Sequence, residues 1–119
     1  MTDSDFFIDD GYCEQGHIAA LAGVHGPLDF VYRPMIHADK EAYYEQAKRP
    51  GVRPTVAIAH FVAQHLHQWS LSRPIVAAEV ERLRPRLLER LFYIVMGEIA
   101  SDLPGAAKGS DQEASDLKN

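Results

Sequence analysis

The sequence predicts an α+β fold, with an N-terminal β-hairpin packed on a mainly helical bundle of three to four helices. Residues 14–35 contain an alternating strand, in which Leu28, Phe30 and Tyr32 interleave with Asp29, Val31 and Arg33 behind a turn cluster with two glycines. Residues 56–69 repeat apolar side chains at helical spacing, and so do residues 76–99. The 119 residues suffice for one domain around one core. That domain is placed at 11–103, between an acidic flexible arm (1–10) and a disordered tail (104–119) rich in Gly, Ser, Asp, Lys and Ala.

The arm carries four aspartates around Phe6, Phe7 and Ile8. It reads as a frayed terminus, or as an arm that docks on a partner or neighbouring subunit. His17 to Leu21 is short and mostly apolar and makes the first strand, and residues 22–27 make the turn. Pro34 ends the second strand because it has no N–H for the ladder. Residues 37–49 predict a short helix, with Asp39 and Glu41 in its first turn and Lys48 and Arg49 in its last, as the helix dipole favours. Its packing side is Ala42, Tyr43, Gln46 and Ala47. Pro50, Gly51 and Pro54 form a stiff linker, and Thr55 is placed to cap the next helix. On that helix, predicted to end at Trp69, Ile58, Ala59, Val62, Leu66 and Trp69 share one side, and Phe61 lies off the main apolar arc. After a break at Ser72, Arg73 and Pro74, a last helical region carries a stripe of Val80, Leu83, Leu87, Leu91, Ile94 and Val95, widened by Leu88 and Phe92. Pro85 either kinks this helix or starts a new one, and Gly97 marks its end.

A net charge of −5 is a poor match to broad nucleic-acid binding. The single cysteine, Cys13, excludes an internal disulfide and a multi-cysteine zinc site. The opening decapeptide is acidic where a signal peptide is basic, and no apolar run reaches the ~20 residues of a membrane span. The expected location is therefore cytoplasmic.

The six histidines lack ligand spacing. His60 and His67 are seven apart, whereas a helical metal pair needs three or four, with a carboxylate nearby. Cys13 and His17 offer a weak nucleophile–base reading, and no phosphate-binding glycine loop is present. The expectation is a non-enzyme with no metal and no cofactor. The run Arg82, Leu83, Arg84, Pro85, Arg86 reads as a solvated helix face partly paired with Glu79, Glu81 and Glu89, or as a patch for an acidic protein partner.

The G-x-I, turn and F-x-Y-R-P order of Gly16 to Pro34, the segment ending in Trp69, the polar break, and L-R-P-x-L-x-x-R-L (Leu83 to Leu91) before Gly97 resemble the small tail assembly chaperones of long-tailed bacteriophages and prophages. That resemblance spans roughly residues 11 to 100. It implies a chaperone in the bacterial host cytoplasm that coats the tape measure protein and helps tail tube subunits polymerise around it. The alternative is a structural virion component, a head-tail or tail ring subunit, that self-associates through hairpin and arm. The partner-binding residues expected are Phe61, Leu66, Trp69, Leu88, Phe92, Arg82 and Arg86, with Phe61 the foremost contact of the chaperone reading.

Overall fold

In a computed structural model, residues 11–102 are described, so the arm at 1–10 and the tail at 104–119 lie outside the described residues. The elements run β1 (Glu14–Ile18), β2 (Leu28–Tyr32), α1 (His37–Lys48), α2 (Pro54–His65), β3 (Leu66–Trp69), α3 (Ala77–Val80) and α4 (Pro85–Met96). The fold is α+β, as the sequence predicts. The hairpin, however, is part of a three-stranded antiparallel sheet in the order β1-β2-β3.

Strand β1 pairs with β2 from Glu14 opposite Tyr32 to Ile18 opposite Leu28. It therefore begins and ends three residues before the expected His17–Leu21. Leu21 belongs to the turn, where its carbonyl accepts the N–H groups of Val24 and His25 at 2.9 and 3.0 Å. The inward residues Gly16, Ile18, Leu28, Phe30 and Tyr32 are all buried. Gly16 lies opposite Phe30, and any Cβ at Gly16 would overlap the Phe30 ring. A glycine is needed there for close approach, not for its backbone angles.

Helix α1 starts where Asp39 accepts the Ile36 N–H at 3.0 Å. It buries Tyr43, whose ring meets Phe61 edge-on at 5.3 Å and Phe92 at 5.0 Å. These three aromatics tie α1, α2 and α4 together. Helix α2 starts at Pro54, where a missing N–H costs nothing. Its N-cap is Arg53, so Thr55 lies inside the first turn and is not the cap.

The helix expected to reach Trp69 ends at His65, and Leu66–Trp69 is a strand. A pair of reciprocal bonds forces the change. Arg33 N–H donates to the His65 carbonyl at 2.7 Å, and His65 Nδ1–H donates to the Arg33 carbonyl at 2.8 Å. A carbonyl only accepts, so the ring must hold its proton on Nδ1. Beyond the junction, Tyr32 faces Leu66, Val31 faces Gln68 and Phe30 faces Trp69. His67 is therefore the extra residue of a β-bulge.

Pro85 starts a new helix, so the long final helix is two, α3 and α4, and Arg82 to Arg84 form the turn between them. Gly97 ends α4 as expected. At φ 84° it takes the left-handed cap, and Gly97 and Glu98 donate to the carbonyls of Ile94 and Tyr93. Leu87, Leu91, Ile94 and Val95 of the predicted stripe are buried. Among the described residues, no helix is long and apolar enough to cross a membrane.

Two outcomes follow from this packing. Gly16→Ala should destabilise the domain by about 1–3 kcal/mol, because the Phe30 ring must leave its place. Urea unfolding monitored by circular dichroism reads that loss. His65 is 3 % exposed, and burial lowers its pKa below the ordinary 6.5. The unfolded chain thus takes up a proton at a higher pH than the folded one, and stability should drop as pH falls below about 6.5. His65→Gln keeps a donor for Arg33 and should flatten that part of a stability–pH curve.

Candidate functional site

The outward face of the sheet is the floor of an open cleft of about 530 Å³. Strand alternation puts Gln15 and His17 of β1, Asp29 and Val31 of β2, and Gln68 of β3 on this side, opposite the buried residues. Register aligns them into two rows, Gln15–Val31–Gln68 across all three strands and His17–Asp29 across two. The bulge at His67 sets the first row, since it puts Gln68 opposite Val31 while Leu66 faces Tyr32 in the core.

At one end, His17 Nδ1 and Asp29 Oδ1 are 2.7 Å apart. The Ser70 hydroxyl accepts the Asp29 N–H at 3.0 Å, and Ser70 N–H donates to the Asp29 carbonyl at 2.9 Å, which extends the sheet one residue past Trp69. Trp69 is half-buried and lines the cleft. Its Nε1–H donates to the Arg73 carbonyl at 2.7 Å and holds the loop that follows β3.

Ser101 and Asp102 close the side next to β1. Asp102 N–H donates to the His17 carbonyl at 2.8 Å, and its carboxylate accepts the Ala19 N–H at 2.8 Å and two N–H groups of Arg90 at 3.1 and 3.3 Å. Part-burial raises its pKa, but the bonds from Ala19 and Arg90 and the charges of Arg90 and His17 outweigh it and leave the carboxyl below 3.8. This clip covers the end of the β1 edge, whereas the outer edge of β3 has no neighbouring strand among the described residues.

The residues expected to bind a partner divide sharply. Phe61, Leu66, Leu88 and Phe92 are buried in the domain core. This corrects their placement as partner-binding surface. Phe61 lies off the main arc of α2 because that helix is covered on two sides, and Tyr43 of α1 covers Phe61. Trp69 is at the cleft, but on a strand rather than a helix. Arg82 and Arg86 are exposed on the turn before α4 and in its first turn, as is Arg84. No ion pair joins Arg82, Arg84 or Arg86 to Glu79, Glu81 or Glu89, because Glu79 and Glu81 are taken by Arg73 and Arg53.

Sequence reasoning missed Gln15, Val31, Gln68 and Asp102. The alternation from Leu28 to Arg33 already assigns Val31 to the open face. Nothing local points to Gln68 or Asp102, whose roles depend on contacts made far along the chain. Cys13 is exposed at the mouth of β1. Four strand residues separate its position from His17 by about 13 Å, too far for a nucleophile–base pair. Among the described residues, no group of three or more His, Cys, Asp or Glu side chains could hold a metal ion. No known protein family, characterised protein or solved structure matches this chain.

Asp102→Asn should lower stability by roughly 1–2 kcal/mol, less than a fully buried charged bond because the Arg90–Asp102 pair is partly solvated. The Asp102 contribution is complete above its ordinary pKa of 3.8 and is lost as pH falls through the lower folded value. In acid titrations followed by circular dichroism, the variant and the parent should therefore converge below pH 3.8.

Proposed function

We propose that the chain is a non-enzymatic tail assembly chaperone of phage or prophage type, working in the host cytoplasm, and that the sheet cleft is where it grips polypeptide. The observation that carries this reading is the row Gln15–Val31–Gln68, which crosses all three strands along an open trough. Two primary amides offer donors and acceptors to a peptide backbone without demanding a particular side chain. Val31 between them supplies an apolar contact, and Ser70 and Ser101 widen the same surface. Such a lining suits a long, repetitive partner such as a tape measure protein, which must be held at many similar places. The tail tube subunit is the second expected client.

The alternative, a virion component that joins copies of itself or tube subunits by strand addition, draws on the open outer edge of β3. The two readings separate at Val31. On the chaperone reading, Val31→Lys should leave the urea midpoint within about 0.5 kcal/mol of the parent, as for an ordinary surface change. It should also reduce recovery of co-expressed tape measure protein at least about tenfold, the effect of losing roughly 1.4 kcal/mol of binding. Unchanged recovery, together with the protein in purified particles, would replace the chaperone by the virion component.

A further inference from the structure

Four of the arginines each meet a carboxylate. Arg33 pairs with Asp39, Arg53 with Glu81, Arg73 with Glu79 and Arg90 with Asp102, at 3.1 to 3.5 Å. Among the described residues Arg49, Arg82, Arg84 and Arg86 meet none, and the last three stand together. All three are exposed, stand at alternate positions around the half-buried Leu83, and have no carboxylate within 4.0 Å among the described residues. In a chain with 17 acidic and 12 basic residues, three adjacent unpaired guanidiniums are an unbalanced charge. Beside them is a second depression of about 250 Å³, with Ala19, Ala20 and Leu21 on one wall and Arg86 and Arg90 on the other. Glu89 is the one acid lining it. Leu21 is 39 % exposed there.

This surface asks for a peptide with an apolar anchor flanked by acids. The first ten residues of the chain have that composition. Asp3 and Asp5 precede Phe6, Phe7 and Ile8, Asp9 and Asp10 follow, and no lysine or arginine interrupts them. We propose that residues 1–10 dock in cis on Arg82, Arg84 and Arg86, with the apolar centre against Leu21, and so shield this surface from acidic partners. The span allows it. Ala19 lies five strand residues past Glu14, about 16 Å, while the seven residues from Glu14 back to Phe7 reach up to about 24 Å. Gly11, in a turn at φ 81°, bends the chain just before β1. Tethering on this scale gives an effective concentration in the millimolar range, which favours the chain's own arm over a second copy. The proposal does not depend on the cleft or on the function assigned to it.

The test uses the full chain carrying Cys13→Ser and Ser4→Cys, with a nitroxide on the new thiol and nitrogen-15 throughout. At about 0.05 M salt, the amide signals of Ala19 to Leu21 and of Arg84 and Arg86 should lose roughly half or more of their intensity. They should recover at about 1 M, where charges are screened within about 3 Å. Arg82→Gln, Arg84→Gln and Arg86→Gln together should abolish the effect while the buried Leu91 and Val95 amides keep their shifts, which separates lost docking from lost folding. A nitroxide-labelled chain without nitrogen-15, mixed with an unlabelled nitrogen-15 chain, should cause no broadening. The proposal is wrong if the signals stay intact at low salt, if broadening survives the triple change, or if it arises only between chains.

Discussion

The reciprocal bonds between Arg33 and His65 are the constraint on which the rest of the architecture depends. They join the residue after β2 to the last residue of α2, and so fix where a helix must stop and a strand must start. Were α2 to run on, Leu66 and Trp69 would point along its apolar side and β2 would be a bare edge. A two-stranded hairpin is marginal in water, and the third strand gives it a second partner. The cost is a buried imidazole, 3 % exposed, whose burial lowers its pKa and whose Nδ1 proton is committed to one carbonyl. That single tautomer links the sheet to the helical layer.

Why the sequence misleads at this point is a matter of geometry. Leu66 and Trp69 are three apart, a spacing that on a helix means one face. On a regular strand the same spacing means opposite faces. The bulge at His67 removes that contradiction by adding a residue, so both side chains turn toward the core from a strand. Helical spacing and a bulged strand thus leave the same trace in the sequence, and only the distant Arg33 and Phe30 decide between them. Local signals served well where the chain decides locally. Pro85 and Gly97 delimit α4, the Asp39 position opens α1, and the alternation of Leu28 to Tyr32 sets the inner face of β2. The cleft was only partly legible for the same reason. Val31 is assigned by alternation, whereas Gln68 needs the bulge and Asp102 needs a return of the chain to Ala19, just past β1, across 83 residues.

The aromatic cluster of Tyr43, Phe61 and Phe92 explains why large apolar stripes on the helices are no guide to partner surface. In a domain this small, four short helices and a three-stranded sheet have few side chains with which to exclude water. Helix α4 buries Leu87, Leu88, Leu91, Phe92, Ile94, Val95 and Met96, seven of its twelve residues. A helix enclosed to that extent has little apolar surface left exposed. The layer covered on one side only is the sheet, whose outward positions carry amides, a valine and a His–Asp pair.

The two ends of the described chain are treated differently by this scaffold, and the difference has a physical cause. On the C-terminal side, Asp102 is locked beside the cleft by three charge-assisted or backbone bonds to Ala19 and Arg90. On the N-terminal side, Glu14 anchors β1 by accepting the Tyr12 and Tyr32 hydroxyls at 2.9 and 3.0 Å. Those are neutral donors on a solvated acid, and the next residues outward are an exposed Cys13 and a turn at Gly11. Arg90 is thereby neutralised within the fold, while Arg86, one helical turn earlier on the same face, is not. The positive field at the foot of α4 thus comes from arginines that the domain does not use for its own stability. Exposed pairs contribute little to folding, so the domain loses little stability by leaving these guanidiniums without a carboxylate among the described residues.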